Sequence, residues 1–137
     1  MAKYAALGMS FGATGEAVVA QVKSISGPSL KLDTEDVTTH DSTGGWEEVV
    51  GTVLRSGEVK LEIVYDPANA THSAAAHGLI GLMVAKASHS FTLTFPAASA
   101  VTWVLPGFVT GFEVNAPHDG ALTATATIKP SGQPTLA

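Results

Sequence analysis

The stretch from Asp33 to Asp66 constrains the fold most, because it contains two β-strand patterns separated by a long insertion. Asp36–His40 is short and rich in β-branched residues, and Glu58–Tyr65 alternates charged and apolar residues with a period of two. This alternation is typical of a strand with one buried face. The insertion, residues 41–57, is far longer than the roughly two to five residues of an ordinary hairpin loop. We therefore predict a long β-hairpin arm over residues 39–57.

The insertion carries apolar residues that a free loop would leave in water. These residues are Trp46, Val49, Val50, Val53 and Leu54. The arm is therefore expected to pack on its own domain or on a neighbouring subunit. Trp46 is the residue most strongly expected to make this contact, because a tryptophan in a charged loop needs a pocket. It either anchors the arm on its own sandwich or forms a hot spot between subunits.

Charge is distributed unevenly along the chain, which has twelve acidic and seven basic residues and a net charge of −5. The Asp33–Asp66 stretch contains nine of the acidic residues against only Arg55 and Lys60, so it carries −7 and the rest of the chain carries +2. Between Pro67 and Phe112 the only charged residue is Lys86. A surface so poor in charge is suited to burial between copies. The basic residues are not clustered as a nucleic-acid surface requires.

The length of 137 residues fits one domain, predicted over residues 1–137. The chain has no cysteine, which excludes disulfides and thiolate zinc sites. The N-terminus lacks the basic and apolar regions of a signal peptide, and the longest uncharged segment, residues 67–85, is too polar to span a membrane. We therefore expect synthesis in the cytoplasm and no membrane partner.

The remaining patterns predict a mainly β fold, a β-sandwich or open barrel of about seven strands with one flanking α-helix. Residues 1–15 are expected to form a mobile N-terminal arm with a short strand near Tyr4–Leu7, and residues 130–137 a loose tail. A helix is predicted over His72–Lys86 from an apolar stripe of Ala76, Leu79, Ile80, Met83 and Ala87. The other predicted strands are Ala17–Ile25, Ser90–Phe95, Val101–Leu105, Phe108–Asn115 and Ala121–Lys129. The last strand is expected to bury Leu122, Ala124, Ala126 and Ile128.

The polar residues do not form a pattern that predicts catalysis. His40, Asp41 and Ser42 are the residue types of a hydrolase triad, but neighbours on an extended segment point to opposite sides, so a polar turn is predicted instead. His72 and His77 are five residues apart, whereas a metal pair on a helix needs three or four. The acidic residues lack the ligand spacing of a calcium loop. We predict no enzymatic activity, cofactor, metal or small-molecule substrate.

Three segments together form a motif: residues 36–48 (DVTTHDSTGGWEE), 57–59 (GEV) and 65–67 (YDP). The motif resembles that of the major tail tube proteins of long-tailed bacteriophages. In that family a D-x-T-x-x-D-S-x-G-G-W-x-E-like arm precedes a strand that opens with G-E-V and closes on an aromatic-Asp-Pro turn. Many members have proline at the position of Thr43. Some carry an additional C-terminal immunoglobulin-like domain, whose function is not expected here.

The resemblance implies a structural role in hexameric rings that stack into a tube. Each subunit would lend strands to a continuous inner barrel, and the arm would reach a neighbouring ring or subunit. The implied partners are further copies of the chain, the tape measure protein, and tail-tip and terminator proteins. The implied location is the virion tail, assembled in the host cytoplasm. DNA would pass through the lumen without specific binding.

The resemblance also suggests roles for individual residues. The residues assigned to an intersubunit arm are His40, Asp41, Ser42, Gly44, Gly45, Trp46, Glu47, Glu48, Val49, Val50, Val53, Leu54 and Arg55. The residues expected to face the lumen are Gln21, Lys23, Glu58, Lys60, Glu62, Thr123 and Thr125. An acidic lumen would repel the phosphates of passing DNA.

An alternative function is that of a monomeric β-sandwich module that binds a ligand such as a carbohydrate, on a phage or a secreted particle. Such a module would need a cluster of exposed aromatic residues near one end of the sandwich. The oligomeric state of the protein distinguishes the two functions.

Overall fold

The computed structural model describes residues 3–96 and 101–136 as a mainly β structure. The elements are β1 (Ser10–Ala13), β2 (Val22–Ser26), β3 (Lys31–Asp36), β4 (Val49–Arg55), β5 (Val59–Val64), α1 (Leu79–Val84), β6 (His89–Thr94), β7 (Thr102–Asn115), β8 (Thr123–Pro130) and β9 (Thr135–Leu136). A short 3₁₀ turn at Thr43–Gly45 lies between β3 and β4. In the described residues no helix is long and apolar enough to cross a membrane.

The strands form two separate sheets. Seven strands make an antiparallel sheet with the order β1-β6-β7-β8-β5-β2, and β9 adds to one edge of β7. Within the described part of the chain, β3 and β4 pair only with each other and form a hairpin outside this sheet. The predicted fold class, mainly β with one flanking helix and a long hairpin arm, is confirmed.

The core lies on one face of the large sheet and follows the alternation of the strands. On β5, Val59, Leu61 and Ile63 are buried and pair with three residues of β8. These partners are Ile128, Ala126 and Ala124, which are also buried, as predicted. Leu122, expected inside with them, lies before β8 and is 36% exposed, although its carbonyl still accepts the Tyr65 amide at 3.0 Å.

The N-terminal segment contributes to the core, which contradicts the prediction of a mobile arm over residues 1–15. β1 pairs with β6, and its Phe11 is fully buried and stacks on Phe91 with 5.6 Å between the ring centroids. Tyr4–Leu7 is not a strand. Residues 1 and 2 lie outside the described residues. The pattern here is Gly-rich and weakly alternating, so only the non-local pairing with β6 defines the strand.

The strand predicted over Ala17–Ile25 is shorter than expected, and β2 begins only at Val22. Gln21 has a φ of 56°, in the left-handed region that a continuing strand does not contain. Before it, Val18 forms an isolated bridge to Gly12. The apolar run therefore bends at Gln21. Val18 pairs with β1 at one edge of the sheet, and residues from Val22 onward form β2 at the other edge.

The helix is also shorter than predicted, with six residues, Leu79–Val84, in place of His72–Lys86. Residues 66–78 instead form successive turns, in which the Asn69 carbonyl accepts the amides of His72 and Ser73. These turns fold back against α1, so a Cβ at Gly81 would collide with the Ala75 carbonyl. The buried residues of α1 are Leu79 and Leu82, whereas Ala76 and Ala87 of the predicted stripe are exposed.

Two side chains fasten these turns to the segment before β2. His72 is fully buried; its Nε2 donates to the Ala20 carbonyl at 2.6 Å, and its Nδ1 accepts the Asp66 amide at 3.2 Å. The Thr71 hydroxyl accepts the Ala20 amide at 3.1 Å. His72 is therefore a satisfied structural histidine, because both ring nitrogens have backbone partners.

The predicted break at Pro106-Gly107 does not occur, and β7 runs unbroken over fourteen residues. At this point the strand changes partners, since residues 102–107 pair with β6 and residues 107–115 with β8. The Pro106 carbonyl accepts the Ser131 amide at 2.7 Å. Gly107 is needed because a Cβ there would collide with the Lys129 carbonyl. Proline is tolerated where the ladder passes from one neighbour to another.

The C-terminal tail, predicted to be loose over residues 130–137, is partly ordered by the sheet. Pro130 ends β8, and Thr135 and Leu136 pair with Val104 and Trp103. Residue 137 lies outside the described residues. Two residues of pairing are too few to leave an alternation in the sequence.

Candidate functional site

The hairpin of β3 and β4 forms the predicted arm, but with different strand bounds. β3 ends at Asp36, where the sequence predicted a strand to begin, and residues 49–55 of the supposed insertion form β4. The register runs from Lys31 opposite Arg55 to Asp36 opposite Val49, with an irregularity between Leu32 and Thr34. The run from Val49 to Arg55 has no clean period of two, because its one-residue bulge shifts the alternation.

The tip of the arm, residues 37–48, is closed by its own hydrogen bonds. The Val37 amide donates to the Glu48 carbonyl at 2.9 Å, and the Glu48 amide donates to the Thr38 hydroxyl at 2.8 Å. The Ser42 hydroxyl is buried and accepts the Thr39 amide at 3.0 Å. The polar turn predicted at residues 40–42 is thus confirmed, and Ser42 serves the backbone of the loop.

The Gly-Gly pair shapes the turn that presents Trp46. Gly44 and Gly45 have φ values of 65° and 74°, which other residues rarely adopt. The indole lies over Gly44, since a Cβ there would be 3.2 Å from Cδ1 of Trp46. The tip therefore has a defined shape within a single chain.

The apolar side chains of the arm are exposed. Trp46 is 78% exposed and Leu54 80%, and about half of each of Val49, Val50 and Val53 is accessible. The interpretation in which Trp46 tucks into its own domain is therefore wrong. An exposed apolar set on a projecting element is typical of an interaction surface.

An ion pair holds the base of the arm together. Arg55 Nε donates to Asp33 Oδ2 at 2.6 Å, and Lys31 Nζ lies 3.9 Å from Oδ1 of the same carboxylate. The hydrogen bond from Arg55 lowers the pKa of Asp33 below its ordinary value of 3.8. Near the tip, hydrogen bonds from the Thr38 side chain and amide lower the pKa of Asp36 in the same way.

We expect the Asp33 carboxyl to titrate below pH 3.8 in the native protein and closer to 3.8 in Arg55→Leu. Because the native pKa is lowered, the ionised Asp33 carboxylate stabilises the folded hairpin above pH 3.8. This stabilisation is lost as the pH falls through the native pKa. Carbon-13 NMR of the Asp33 carboxyl against pH measures the midpoint. Lys23→Leu, which removes a cation elsewhere, should leave the midpoint unchanged. An identical midpoint in native protein and Arg55→Leu would contradict the assignment.

The outer face of the large sheet forms a second surface, made of polar side chains. Glu62 of β5 pairs with Ser24 of β2 and with Thr125 of β8, and Thr125 also pairs with Glu113 of β7. These four residues form one row across neighbouring strands, all exposed. Lys60 pairs with Thr127 in the next row.

Most residues expected to face the lumen come together on this outer face. Lys60, Glu62, Thr123 and Thr125 share it by strand pairing, and Lys23 Nζ joins it 3.6 Å from Glu62 Oε1. Glu58 is exposed just before β5, in phase with Lys60. Gln21 lies outside the strands, at the turn before β2, where its carbonyl accepts the Val64 amide.

The sequence prediction omitted three residues of this face, Glu113, Ser24 and Thr127. The alternation of Phe112 and Val114 with Glu113 and Asn115 was the signal for the first. With Glu113 included, the face carries three carboxylates, Glu58, Glu62 and Glu113. Its cations are Lys23 and Lys60. The predicted lumen residues carry two carboxylates and two cations, and Glu113 gives the face one further negative charge.

The remaining titratable side chains do not assemble a metal site. Among residues 3–96 and 101–136, no three histidine or carboxylate side chains lie close enough to bind one ion. The two surfaces offer apolar side chains, hydrogen-bonding groups and ion pairs.

The fold is shared with solved tail and injection structures. A chain in the virion of a native gene transfer agent particle superposes with a TM-score of 0.80 at 16% identity, covering 98% of this chain and 99% of that one. A chain in the tail of an empty gene transfer agent particle gives 0.74 at 18%, covering 94% and 93%. A chain in the sheath/tube terminator of the PVC extracellular contractile injection system gives 0.73 at 12%, covering 98% of both.

Sequence comparison identifies the family directly. No curated protein sequence matches the chain. A family model described as lambda phage tail tube protein matches residues 11–137, which include the arm and every strand of the large sheet except the first residue of β1. The chain therefore belongs to the lambda phage tail tube protein family.

Proposed function

We propose that this tail tube protein assembles into six-membered rings that stack into a tube through which DNA passes. The observation that carries the proposal is the projecting arm, whose Trp46 and Leu54 are exposed in the single chain. Leaving such groups in water is unfavourable by about 25 cal/mol for each Å² of apolar surface. The similar gene transfer agent tail was refined with C6 symmetry, which supports a six-membered ring.

The arm is the intersubunit element in this assembly. Its strands make their main contacts with each other, so their apolar side chains are free to meet another copy. The tip is already closed by hydrogen bonds, and docking therefore requires little further ordering of the chain. The charge-poor region 67–112 offers neutral surface for further contacts between copies.

The polar outer face of β2, β5, β8 and β7 lines the lumen. It is continuous through strand pairing, rich in threonine and serine, and carries Glu62 and Glu113. Its cations Lys23 and Lys60 are interspersed with carboxylates and form no stripe that could hold phosphates. DNA would therefore slide past this wall without specific binding.

The partners and location follow from this role. The tube encloses a tape measure protein during assembly and meets terminator and tail-tip proteins at its ends, and the similar terminator structure supports the second of these contacts. The protein is made in the host cytoplasm and resides in the virion tail. Its function is structural rather than enzymatic.

Electron microscopy of the purified protein across a concentration series, with light scattering for mass, tests the proposal. We expect rings or stacked tubes with a central hole and sixfold symmetry. In a reconstruction of the tube, Glu62 and Thr125 should face the hole. A stable monomer at every concentration, even with tail-tip protein added, would favour the ligand-binding alternative. Tubes with these side chains on the outer wall would contradict the lumen assignment alone.

A further inference from the structure

A cleft lies where the base of the arm meets the C-terminal segment. Two adjoining cavities of about 350 and 640 Å³ share Lys31, Leu54, Arg55, Ser56 and Gly132 in their walls. Cavities of this size are ordinary for binding sites. The larger cavity is mainly apolar, and its apolar lining includes Leu30, Leu54, Pro134 and Leu136.

The smaller cavity is basic in an otherwise acidic protein. Lys31, Arg55 and Lys129 all line it, which are three of the seven lysines and arginines of the chain. No carboxylate belongs to its described lining. Asp33 pairs with Arg55 from the side, so the neighbourhood keeps a positive balance. The side chains of Lys31 and Arg55 are more than half exposed and remain accessible to an anionic partner.

The tip of the arm has the complementary chemistry. Residues 37–48 contain Asp41, Glu47 and Glu48 and neither lysine nor arginine. Trp46 directly precedes Glu47 and Glu48 in the chain and is 78% exposed. One short loop thus presents three negative charges and one large apolar group. The cleft offers three cations, two of which share the Asp33 carboxylate, beside an apolar cavity.

The tip cannot reach the cleft of its own chain. The six residues of β3 separate them by about 20 Å of extended strand. The paired strands and the Arg55–Asp33 ion pair keep the hairpin extended. The occupant that this chain can supply is therefore the tip of a second copy. Contact between two different patches of identical chains is head-to-tail and builds rings or filaments.

We propose that the cleft receives the arm tip of a second copy, with Trp46 in the apolar cavity and the tip carboxylates on Lys31, Arg55 and Lys129. This inference rests on the proposed function and names the surface that the arm contacts. Every copy has both a tip and a cleft, so the same contact can join each copy to the next without another protein. Because ion pairs steer the encounter, its rate should fall as salt is added.

Cysteine cross-linking tests the contact, since the chain has no cysteine of its own. Glu47→Cys places a thiol on the tip, and Ser56→Cys places one in the wall shared by both cavities. Under mild oxidation a mixture of the two variants should yield disulfide-linked dimers, whereas each variant alone should not. Glu47→Cys mixed with Ser24→Cys, on the polar sheet face, is the matched control. Cross-linking no stronger with Ser56→Cys than with Ser24→Cys would overturn the proposal.

Charge reversal gives a second readout. Lys129→Glu should raise the protein concentration needed for assembly by about tenfold or more, because it sets a carboxylate against those of the tip. Adding Glu47→Lys should restore part of the loss, and Lys86→Glu, at a residue that lines neither cavity, should have little effect. If tubes form and neither assay responds, the docking site is wrong and the tube function stands. If the native protein never assembles, both the docking site and the tube function are wrong.

Discussion

Replacing Trp46 by alanine is expected to raise the concentration needed for tube assembly by about thirtyfold or more. A tryptophan at the centre of an interface contributes about 2 kcal/mol or more, and each 1.4 kcal/mol corresponds to a factor of ten. The free energy of unfolding of the single chain should change by less than about 0.5 kcal/mol, because the indole is 78% exposed. Light scattering and electron microscopy measure the first effect, and urea denaturation at low concentration the second.

Trp103→Ala provides the matched control, since it makes the same change in a different environment. Trp103 packs against the core and meets Phe95 edge to face, with 5.1 Å between the ring centroids. We expect this variant to unfold at a lower urea concentration than the native protein, whereas the Trp46→Ala variant should not. Equal losses of folding stability in the two variants would contradict the assembly role of Trp46.

Phe11→Ala is expected to lower the free energy of unfolding by about 3–5 kcal/mol, the usual cost of removing a large side chain from a core. Phe11 is fully buried, on an edge strand held by β6. Urea denaturation followed by tryptophan fluorescence measures the change through the transition midpoint. A loss of this size is a large share of the unfolding free energy of an ordinary domain, about 5–15 kcal/mol.

Leu7→Ala is the control for this prediction, because Leu7 lies four residues earlier and is 93% exposed. Its free energy of unfolding should differ from the native value by less than about 0.5 kcal/mol. A Phe11→Ala variant as stable as Leu7→Ala would mean that β1 detaches from the sheet without consequence. In that case the N-terminal segment would be the mobile arm that its composition suggests.

The sequence predicted best where local periodicity and local chemistry agree. The alternation of β5 and β8 identified the buried faces, and the Gly-Gly-Trp segment identified the arm, because both signals are complete within a few residues. Prediction from the sequence failed where a strand depends on a pairing strand that is distant in the chain. β1 is a strand only because β6 lies beside it, and β7 crosses Pro106 only because its neighbours change there.

The candidate site divides in the same way. The apolar arm residues and most of the polar sheet residues could be named from the sequence, since exposure to water or to a partner follows from residue type and spacing. The basic cleft could not, because Lys31, Arg55 and Lys129 are far apart in the chain and meet only where the hairpin base packs beside the C-terminal segment.

The amino-acid sequence by itself determined the mainly β class, the presence of the arm and the resemblance to tail tube proteins, because these depend on patterns within short segments. Only the tertiary structure decided that Phe11 belongs to the core, that Trp46 is left in water, and which polar residues share one face. The physical reason is that burial depends on which distant strand lies opposite, and that pairing is a property of the whole chain.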